Sequence, residues 1–450
     1  MPEKDPIQLK IDNLTDEELK RGLDAFLAAV DPSLAVTLNS CVRCGLCAST
    51  CAYSLANPGE PKNAPYYKVD LVASVYLRYS SPLGRRFPFW NGAREFNRET
   101  VALWVDALFG RCTLCGRCYI NCSIGLAVPA LIRAGRGALT AMGLIPEGLD
   151  STVSTAIEKG NNMGIAENDW VETLEWLEEE LQGETEDPKA RIFLEERGAR
   201  SLYTVNPREP KFFPLSIVAA AKIFHAAGES WTLPRHGYDI TNYGLFVGDK
   251  ATSRLLANRI WKEAEELGVE RILLGECGHG FTAQRWESPS WFGRLPPVPE
   301  ESIVQRMVRF LQEKRITLDP ALNPGSYTLH DPCNLVRMGG VVEEPRILMR
   351  AATENFVEMT PNREKNFCCG GGGGQLAMSR YSARRLETGK IKADQIASTG
   401  AKVVVAPCHN CIDQLMELNK HYKLGVQVKS LVEVVAQALV LPKEGRTEGE

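Results

Sequence analysis

The sequence lacks the features that mark exported, membrane-spanning and nucleic-acid-binding proteins. Its charged N-terminus has no apolar segment of the kind found in a secretory signal. No stretch reaches the roughly 18–20 uninterrupted apolar residues of a membrane-spanning helix. The net charge of −4 over 450 residues leaves no basic excess for binding nucleic acid. We therefore expect a cytoplasmic protein that binds no nucleic acid and reaches a membrane only as a peripheral subunit.

The overall composition is that of a folded protein with more than one domain. Hydrophobic residues make up 44% of the chain and charged residues 24%, which excludes disordered and collagen-like proteins. At roughly 100–200 residues per domain, the length of 450 residues predicts two to four domains. The five glycines at 370–374 lack the Gly-Lys-Ser/Thr ending of a phosphate-binding loop, so no nucleotide site is expected there.

Cysteine is the abundant residue type, with 14 in the chain. Because the cytoplasm keeps thiols reduced, clustered cysteines there are expected to bind metal or act in redox chemistry. Eight form two runs of equal spacing, Cys41-x2-Cys44-x2-Cys47-x3-Cys51 and Cys112-x2-Cys115-x2-Cys118-x3-Cys122. In such a run three cysteines hold one 4Fe–4S cluster and the fourth reaches a second. The spacing predicts two cubane clusters with crossed ligation: Cys41, Cys44, Cys47 and Cys122 at one, and Cys112, Cys115, Cys118 and Cys51 at the other.

The residues around the two runs indicate a helical domain. Ala52 and Ser123 replace the proline that follows the fourth cysteine in bacterial ferredoxins. A 60-residue insert separates the runs, and Thr15 with Glu18 predicts a capping box at the start of one N-terminal helix. This arrangement resembles the helical ferredoxin domains of respiratory-complex subunits.

Five further cysteines form a second constellation, Cys333, then Cys368-Cys369, then Cys408-x2-Cys411. Predicted strands at 326–330 and 402–406 precede the first and last of these groups, and ligands converge at the carboxyl ends of parallel strands. Cys408 and Cys411 are expected to start a helix, whose N-terminus favours thiolate. Gly370 and Gly371 permit a sharp turn and present N–H groups that can hydrogen-bond a bound cluster.

The pattern along the chain predicts an α+β multidomain protein. We expect a helical ferredoxin-type domain at 1–145, an acidic helical linker at 146–210, an α/β domain at 211–441 and a disordered tail at 442–450. Strands are predicted at 243–247, 271–274, 326–330 and 402–406, with helices at 253–267, 303–313 and 379–398 between them. Such alternation is typical of parallel sheets.

The C-terminal constellation resembles the CCG domain of the heterodisulfide reductase family. The resemblance implies a non-cubane 4Fe–4S cluster held by Cys333, Cys368, Cys369, Cys408 and Cys411, with zinc as the alternative. It also implies two repeats, an intact one at about 316–441 and a degenerate one at about 211–315. In the degenerate repeat, residues 246–248 replace Cys-Cys-Gly, and Cys277 is the remaining cysteine of the CxxC. Cys277 and His279 are candidates to line the substrate crevice, with His279 as a possible proton donor; structural roles are the alternative.

The single intact motif is similar to the branch that contains DsrK and the corresponding subunits of the Hmc and Tmc complexes. The resemblance implies an oxidoreductase subunit on the cytoplasmic face of a membrane, which passes electrons to a disulfide- or trisulfide-type substrate. Its implied partners are a cytochrome b-type or quinone-interacting membrane subunit, a multihaem cytochrome, or a small protein with a redox-active cysteine arm. The alternative is a pure electron relay. An open crevice at the CCG cysteines favours the reductase, and buried cysteines favour the relay.

One motif stands apart from the cysteines. Residues 85–90, Arg-Arg-Phe-Pro-Phe-Trp, mix basic and aromatic side chains. This composition is typical of an interfacial belt or a docking surface, and a packed loop beside the clusters is the alternative.

Overall fold

The computed structural model describes residues 5–441, which form two compact units with separate apolar cores. Unit 1 comprises residues 5–154, 243–253 and 367–394, and unit 2 comprises residues 155–242, 254–366 and 395–441. The predicted disordered tail at 442–450 lies outside the described residues. Each unit is therefore assembled from segments that are far apart in the sequence.

Unit 1 is helical, and no strand occurs among its described residues. Three helices, instead of the predicted one, precede the first cysteine run. The capping box of the second is confirmed, since Thr15 Oγ1 accepts the N–H of Glu18 at 3.2 Å. The helices are α1 (Pro6–Asp12), α2 (Asp16–Ala29), α3 (Pro32–Ser40), α4 (Ala52–Ala56), α5 (Pro65–Ser80), α6 (Pro82–Arg86), α7 (Pro88–Asn91), α8 (Arg98–Trp104), α9 (Arg117–Ile120) and α10 (Val128–Ala141), with a π-helical turn at Val105–Phe109.

The core of unit 1 surrounds α10, whose apolar residues Leu131, Ile132 and Leu139 are fully buried. Trp104 packs against Phe26 with the rings edge to face and their centroids 5.2 Å apart. The π-helical turn follows Trp104 directly and leads into the second cysteine run. The run is thus anchored to a rigid apolar core.

Unit 2 contains two four-stranded parallel sheets with the same strand order. The strands of the first are β1 (Ser201–Thr204), β2 (Trp231–Thr232), β3 (Arg271–Leu274) and β4 (Glu300–Ser302). Those of the second are β5 (Ser326–Leu329), β6 (Asn355–Val357), β7 (Val403–Val405) and β8 (Gln427–Lys429). The orders are β2-β1-β3-β4 and β6-β5-β7-β8. The predicted parallel pairing is confirmed.

The remaining helices connect these strands or complete the two units. They are α11 (Glu147–Lys159), α12 (Glu167–Thr185), α13 (Arg208–Phe212), α14 (Leu215–Ala226), α15 (Gly244–Val247), α16 (Lys250–Leu267), α17 (Gly278–Phe281), α18 (Ser288–Phe292), α19 (Ile303–Gln312), α20 (Glu344–Ala352), α21 (Ser382–Ala397), α22 (His409–Tyr422) and α23 (Leu431–Gln437), with a π-helical turn at Thr282–Glu287. No helix within residues 5–441 has the length and apolar character that crossing a membrane requires.

Two local predictions differ from the structure. The strand predicted at 243–247 is wrong, because this segment forms the short helix α15, in which the Phe246 N–H donates to the Tyr243 carbonyl at 2.9 Å. The sequence of a short apolar run does not distinguish a buried strand from a buried helix. Strand β1 lies inside the segment 146–210, for which only helix was predicted; its four residues are buried between β2 and β3.

Candidate metal centres

The first cavity of unit 1 is lined by cysteines from both ferredoxin-type runs. Its volume is about 450 Å³ and its wall is largely apolar. The cysteines on this wall are Cys41, Cys44, Cys47, Cys118 and Cys122. Arg43 also lines the cavity, but its guanidinium pairs with Asp70 at 2.7 Å and is 67% exposed. This cavity thus contains the four thiols of the first predicted cubane.

The second cavity of unit 1, of about 550 Å³, contains the other four-cysteine set. The cysteines on its wall are Cys51, Cys112, Cys115, Cys118 and Cys368. The last of these belongs to the C-terminal constellation, and Gly370 lies on the same wall. One CCG cysteine therefore lies beside the second predicted cubane site.

Two buried cations lie close to the Cys112 ligand set, and neither was predicted from the sequence. Lys68 lines the cavity, is 2% exposed and donates from Nζ to the Asn63 carbonyl at 2.7 Å. Arg136 is fully buried on α10. Neither forms an ion pair with a carboxylate within residues 5–441. Burial raises the pKa of the Cys112 thiol, and the charges of Lys68 and Arg136 oppose that rise. The sequence feature that could have revealed Arg136 is the position of an arginine on an otherwise apolar helix face.

Arg136 also fixes the backbone around the second cavity. Its guanidinium donates to four carbonyl oxygens at 2.7–3.0 Å, those of Leu108, Cys112, Phe246 and Gly373. These carbonyls belong to the π-helical turn, the second cysteine run, the segment predicted to replace Cys-Cys-Gly, and the glycine run. One buried side chain thus connects the three sequence segments that make up unit 1.

The glycine run holds Cys368 and Cys369 in a tight turn. Gly370 N–H donates to Cys368 Sγ at 3.3 Å, and Gly371 N–H donates to Cys369 Sγ at 3.4 Å. The predicted N–H groups are therefore directed at the thiols themselves. Gly373 has φ +62°, and a Cβ there would lie 2.7 Å from the carbonyl carbon of Thr113. Only glycine allows the turn and the close approach together.

The remaining three CCG cysteines lie in unit 2 at the carboxyl ends of neighbouring strands. Cys333 follows β5 and Cys408 follows β7, and these strands pair in parallel. The Cys411 N–H donates to the Cys408 carbonyl at 2.9 Å at the start of α22. The hydrogen bond between the two thiols, with further N–H donors such as Gly278, lowers the pKa of Cys408 to about 7. Such a thiol ionises readily and is suited to bind a soft metal.

Cys277 and His279 occupy the end of β3 in the first sheet, next to Cys408. The Cys277 thiol lies 3.4 Å from His279 Nδ1, and both residues are buried. The charge of Cys408 adds to burial in raising the pKa of Cys277. Burial lowers the pKa of His279 to about 3, so the imidazole is neutral near pH 7. The role of His279 as a proton donor stays a prediction.

The cysteine environments fit iron–sulfur clusters by the chemistry of their donors. The cysteines at these sites are free thiols, and sulfur donors grouped in fours are the ligands of iron–sulfur clusters. A 4Fe–4S cluster with four thiolate ligands carries net negative charge. Lys68 and Arg136 are buried without a carboxylate partner within residues 5–441, and they would balance such a charge. Without a bound cluster, the burial of these two positive charges would be costly.

Comparisons with known proteins agree with this chemistry. Residues 37–126 match the 4Fe-4S dicluster domain family, and residues 327–416 match the CCG cysteine-rich domain family. The chain is 28% identical to the Hdr-like menaquinol oxidoreductase iron-sulfur subunit 2 of Archaeoglobus fulgidus, over 92% of this chain and 81% of that protein. It is 27% identical to a subunit of the dihydromethanophenazine:CoB--CoM heterodisulfide reductase of Methanosarcina barkeri, over 90% and 94% of the two chains. It is 22% identical to the EtfAB:quinone oxidoreductase of Syntrophomonas wolfei, over 84% of this chain and 55% of that protein.

The matched families cover both sets of cysteines, and the similar proteins are oxidoreductases or their iron–sulfur subunits. An iron–sulfur electron-transfer role follows for this chain. The chain therefore carries a match to a 4Fe-4S dicluster domain and a match to a CCG cysteine-rich domain, and it is similar along most of its length to heterodisulfide reductase-type iron–sulfur subunits.

Proposed function

We propose that the chain is the iron–sulfur subunit of a membrane-associated complex that reduces a disulfide- or trisulfide-type substrate. Electrons would pass from the two ferredoxin-type sites to the CCG cysteines. The observation that carries this proposal is the second cavity of unit 1, where Cys368 shares a wall with Cys112 and Cys115. A route from a cubane ligand set to a CCG ligand is thus short and lies within one unit.

The proposed ligands follow the sets described above. Cys41, Cys44, Cys47 and Cys122 hold one cubane, and Cys112, Cys115, Cys118 and Cys51 hold the other. Cys333, Cys368, Cys369, Cys408 and Cys411 hold a non-cubane cluster. Bound at these cysteines, 4Fe–4S clusters supply one-electron transfer. Cleavage of one disulfide consumes two electrons and two protons and yields two thiols, so the site must receive two successive electrons.

The Cys41 site is the proposed point of electron entry. Cys44 is exposed, and the apolar side chains Val42 and Ile124 on the same cavity wall are 76% and 54% exposed. An exposed apolar rim beside a redox site suits a protein partner. Because similar proteins are named menaquinol or quinone oxidoreductases, we propose a quinone-interacting or cytochrome b-type membrane subunit, or a multihaem cytochrome, as that partner.

We further propose that the two sheets of unit 2 are repeats, the first of them degenerate. Their identical strand order supports this proposal. Cys277 follows β3 as Cys408 follows β7, which are corresponding strands. The second cysteine of the CxxC corresponds to Gly280, where a Cβ would lie 2.3 Å from the Ile240 carbonyl oxygen. Only one cluster site is therefore proposed for this pair of repeats.

The burial of the CCG cysteines favours a second candidate, an electron relay without disulfide chemistry. None of the five is more than 7% exposed. A disulfide substrate would have to reach these sulfurs through an opening of the surrounding segments. Under the relay, the same ligands pass electrons onward to a partner. Zinc at the CCG cysteines is the third alternative, and it would stop electron transfer at the second cubane.

Electron paramagnetic resonance of the anaerobically purified, oxidised protein separates these alternatives. The reductase proposal predicts a signal from the CCG site that changes on addition of 2-mercaptoethanol. The relay predicts a signal that thiol leaves unchanged, and zinc predicts none. Cys369→Ser should abolish the signal while both cubanes remain reducible. The matched control is Cys277→Ser, another buried cysteine, which should retain the signal; its loss there would contradict the ligand assignment.

A further inference from the structure

The segment at residues 82–94 carries the most exposed aromatic side chains of unit 1. Phe89 and Trp90 are each 75% exposed, Leu83 is 48% exposed and Phe87 is 41% exposed. Phe87 and Phe89 both lie against Trp90, with ring centroids about 6 Å apart. The three rings therefore form one apolar cluster at the surface, which decides against the packed-loop interpretation of this motif.

The cluster is held on a fixed backbone. Helix α6 packs closely on the end of α5, because a Cβ on Gly84 would lie 2.0 Å from the Leu77 carbonyl oxygen. At the far end of the segment, the Arg94 N–H donates to the Ser74 carbonyl at 3.0 Å. The aromatic side chains thus project from a segment that is tied to α5 at both ends.

The charge within residues 82–94 is of one sign, and the next residue, Glu95, pairs with Arg78 at 3.1 Å. Residues 82–94 contain three arginines, Arg85, Arg86 and Arg94, and no aspartate or glutamate, in a chain whose net charge is −4. All three are exposed, and none forms an ion pair with a carboxylate of the part of the chain that the structure describes. Arg86 lies over the Phe87 ring at 6.0 Å.

We propose that this aromatic–arginine patch, formed by Leu83, Arg85, Arg86, Phe87, Phe89 and Trp90, inserts into the headgroup layer of an anionic membrane. Tryptophan and phenylalanine with flanking arginines match the boundary between acyl chains and anionic headgroups. A headgroup layer accommodates a compact aromatic cluster of this kind without a complementary protein surface. Uncompensated positive charge in an acidic protein also fits an anionic surface. The patch is independent of the redox chemistry.

Vesicle co-sedimentation of the cluster-loaded chain tests this assignment. The wild type should bind vesicles of 70% phosphatidylcholine and 30% phosphatidylglycerol more tightly than vesicles of phosphatidylcholine alone. The double variant Phe89→Ser, Trp90→Ser should lose at least about tenfold in partition coefficient on anionic vesicles, because the apolar insertion is removed. Arg85→Gln with Arg86→Gln should lose about tenfold on anionic vesicles and little on neutral ones.

A matched double variant controls for exposed apolar residues in general. Phe212 and Leu295 of unit 2 are 54% and 77% exposed, and Phe212→Ser with Leu295→Ser should bind as the wild type does. Cys369→Ser should also bind normally, which separates this inference from the proposed redox function. Unchanged cluster absorbance and thermal unfolding verify the fold of each variant. Absence of wild-type binding, or unchanged binding by the aromatic variant, would overturn the proposal.

Discussion

Replacing Lys68 with methionine should lower the reduction potential of one cubane and leave the other unchanged. Lys68 is buried in the wall of the second cavity with no carboxylate partner among residues 5–441. A buried positive charge stabilises the reduced, more negative form of a cluster. Methionine has a similar volume, so the substitution removes the charge with little change in packing.

The separation between the lysine charge and the cluster sets the magnitude of this effect. We take a separation of roughly 5–8 Å for a charge in the wall of a cluster site. At an effective dielectric constant of about 20, the interaction is about 2–3 kcal/mol, or about 90–140 mV for one electron. We therefore expect the potential to fall by about 100 mV.

Redox titration followed by electron paramagnetic resonance measures both cubane potentials in one experiment. Lys68→Arg retains the charge and should leave the potential near its wild-type value. Arg43→Met is the control at the first cavity; since Arg43 is exposed and paired with Asp70, its loss should shift either potential by much less. Unchanged potentials in a Lys68→Met protein with full iron content would refute the electrostatic role of this lysine.

Three further predictions concern stability. Arg136→Leu removes the guanidinium from four carbonyl groups, although Gln375 still donates to that of Cys112 at 3.4 Å, and it should cost at least about 3 kcal/mol in denaturant unfolding. In contrast, Arg235→Leu, at an exposed pair with Glu167, should cost less than about 1 kcal/mol. Gly373→Ala should lower the free energy of unfolding more than Gly125→Ala does. Both glycines have positive φ, but only at Gly373 would the added Cβ contact a neighbouring residue, Thr113. Glu229 is buried and accepts hydrogen bonds from Ser201 and three arginines; burial raises its pKa, but these bonds prevail and hold it below its ordinary value. Ionised Glu229 therefore stabilises the folded state fully above its unfolded-state pKa of about 4.3, and this stabilisation is lost as the pH falls through its folded-state pKa. Glu229→Gln should lower the free energy of unfolding by about 3–5 kcal/mol at pH 7 and should weaken the dependence of stability on acid pH.

The spacing of the cysteines predicted which thiols lie together, because ligands a few residues apart in the sequence are also close in space. The steps of three in the runs at 41–51 and 112–122 specify the two four-thiol sets, and the alternation of apolar strands with helices predicts the parallel sheets. In contrast, the strand predicted at 243–247 is a helix, since a short, largely apolar segment suits either a buried strand or a buried helix.

The sequence pattern did not predict which segments of the chain come together to form unit 1. Residues 243–253 and 367–394 join the N-terminal helices although residues 155–242 and 254–366 of unit 2 separate these segments in the sequence, through tertiary contacts that leave no periodic signal. Arg136 makes those contacts, with hydrogen bonds to Phe246 and Gly373 that only the folded chain reveals. Lys68 was likewise hidden, because a lysine in an amphipathic helix ordinarily faces solvent.

We expect this chain to hold three iron–sulfur clusters, with the third at the CCG cysteines. Iron, acid-labile sulfide and zinc should be quantified in the anaerobically purified protein. Three clusters correspond to about 12 irons and no zinc per wild-type chain, and to about eight irons in Cys369→Ser. About eight irons and one zinc in the wild type would contradict this expectation.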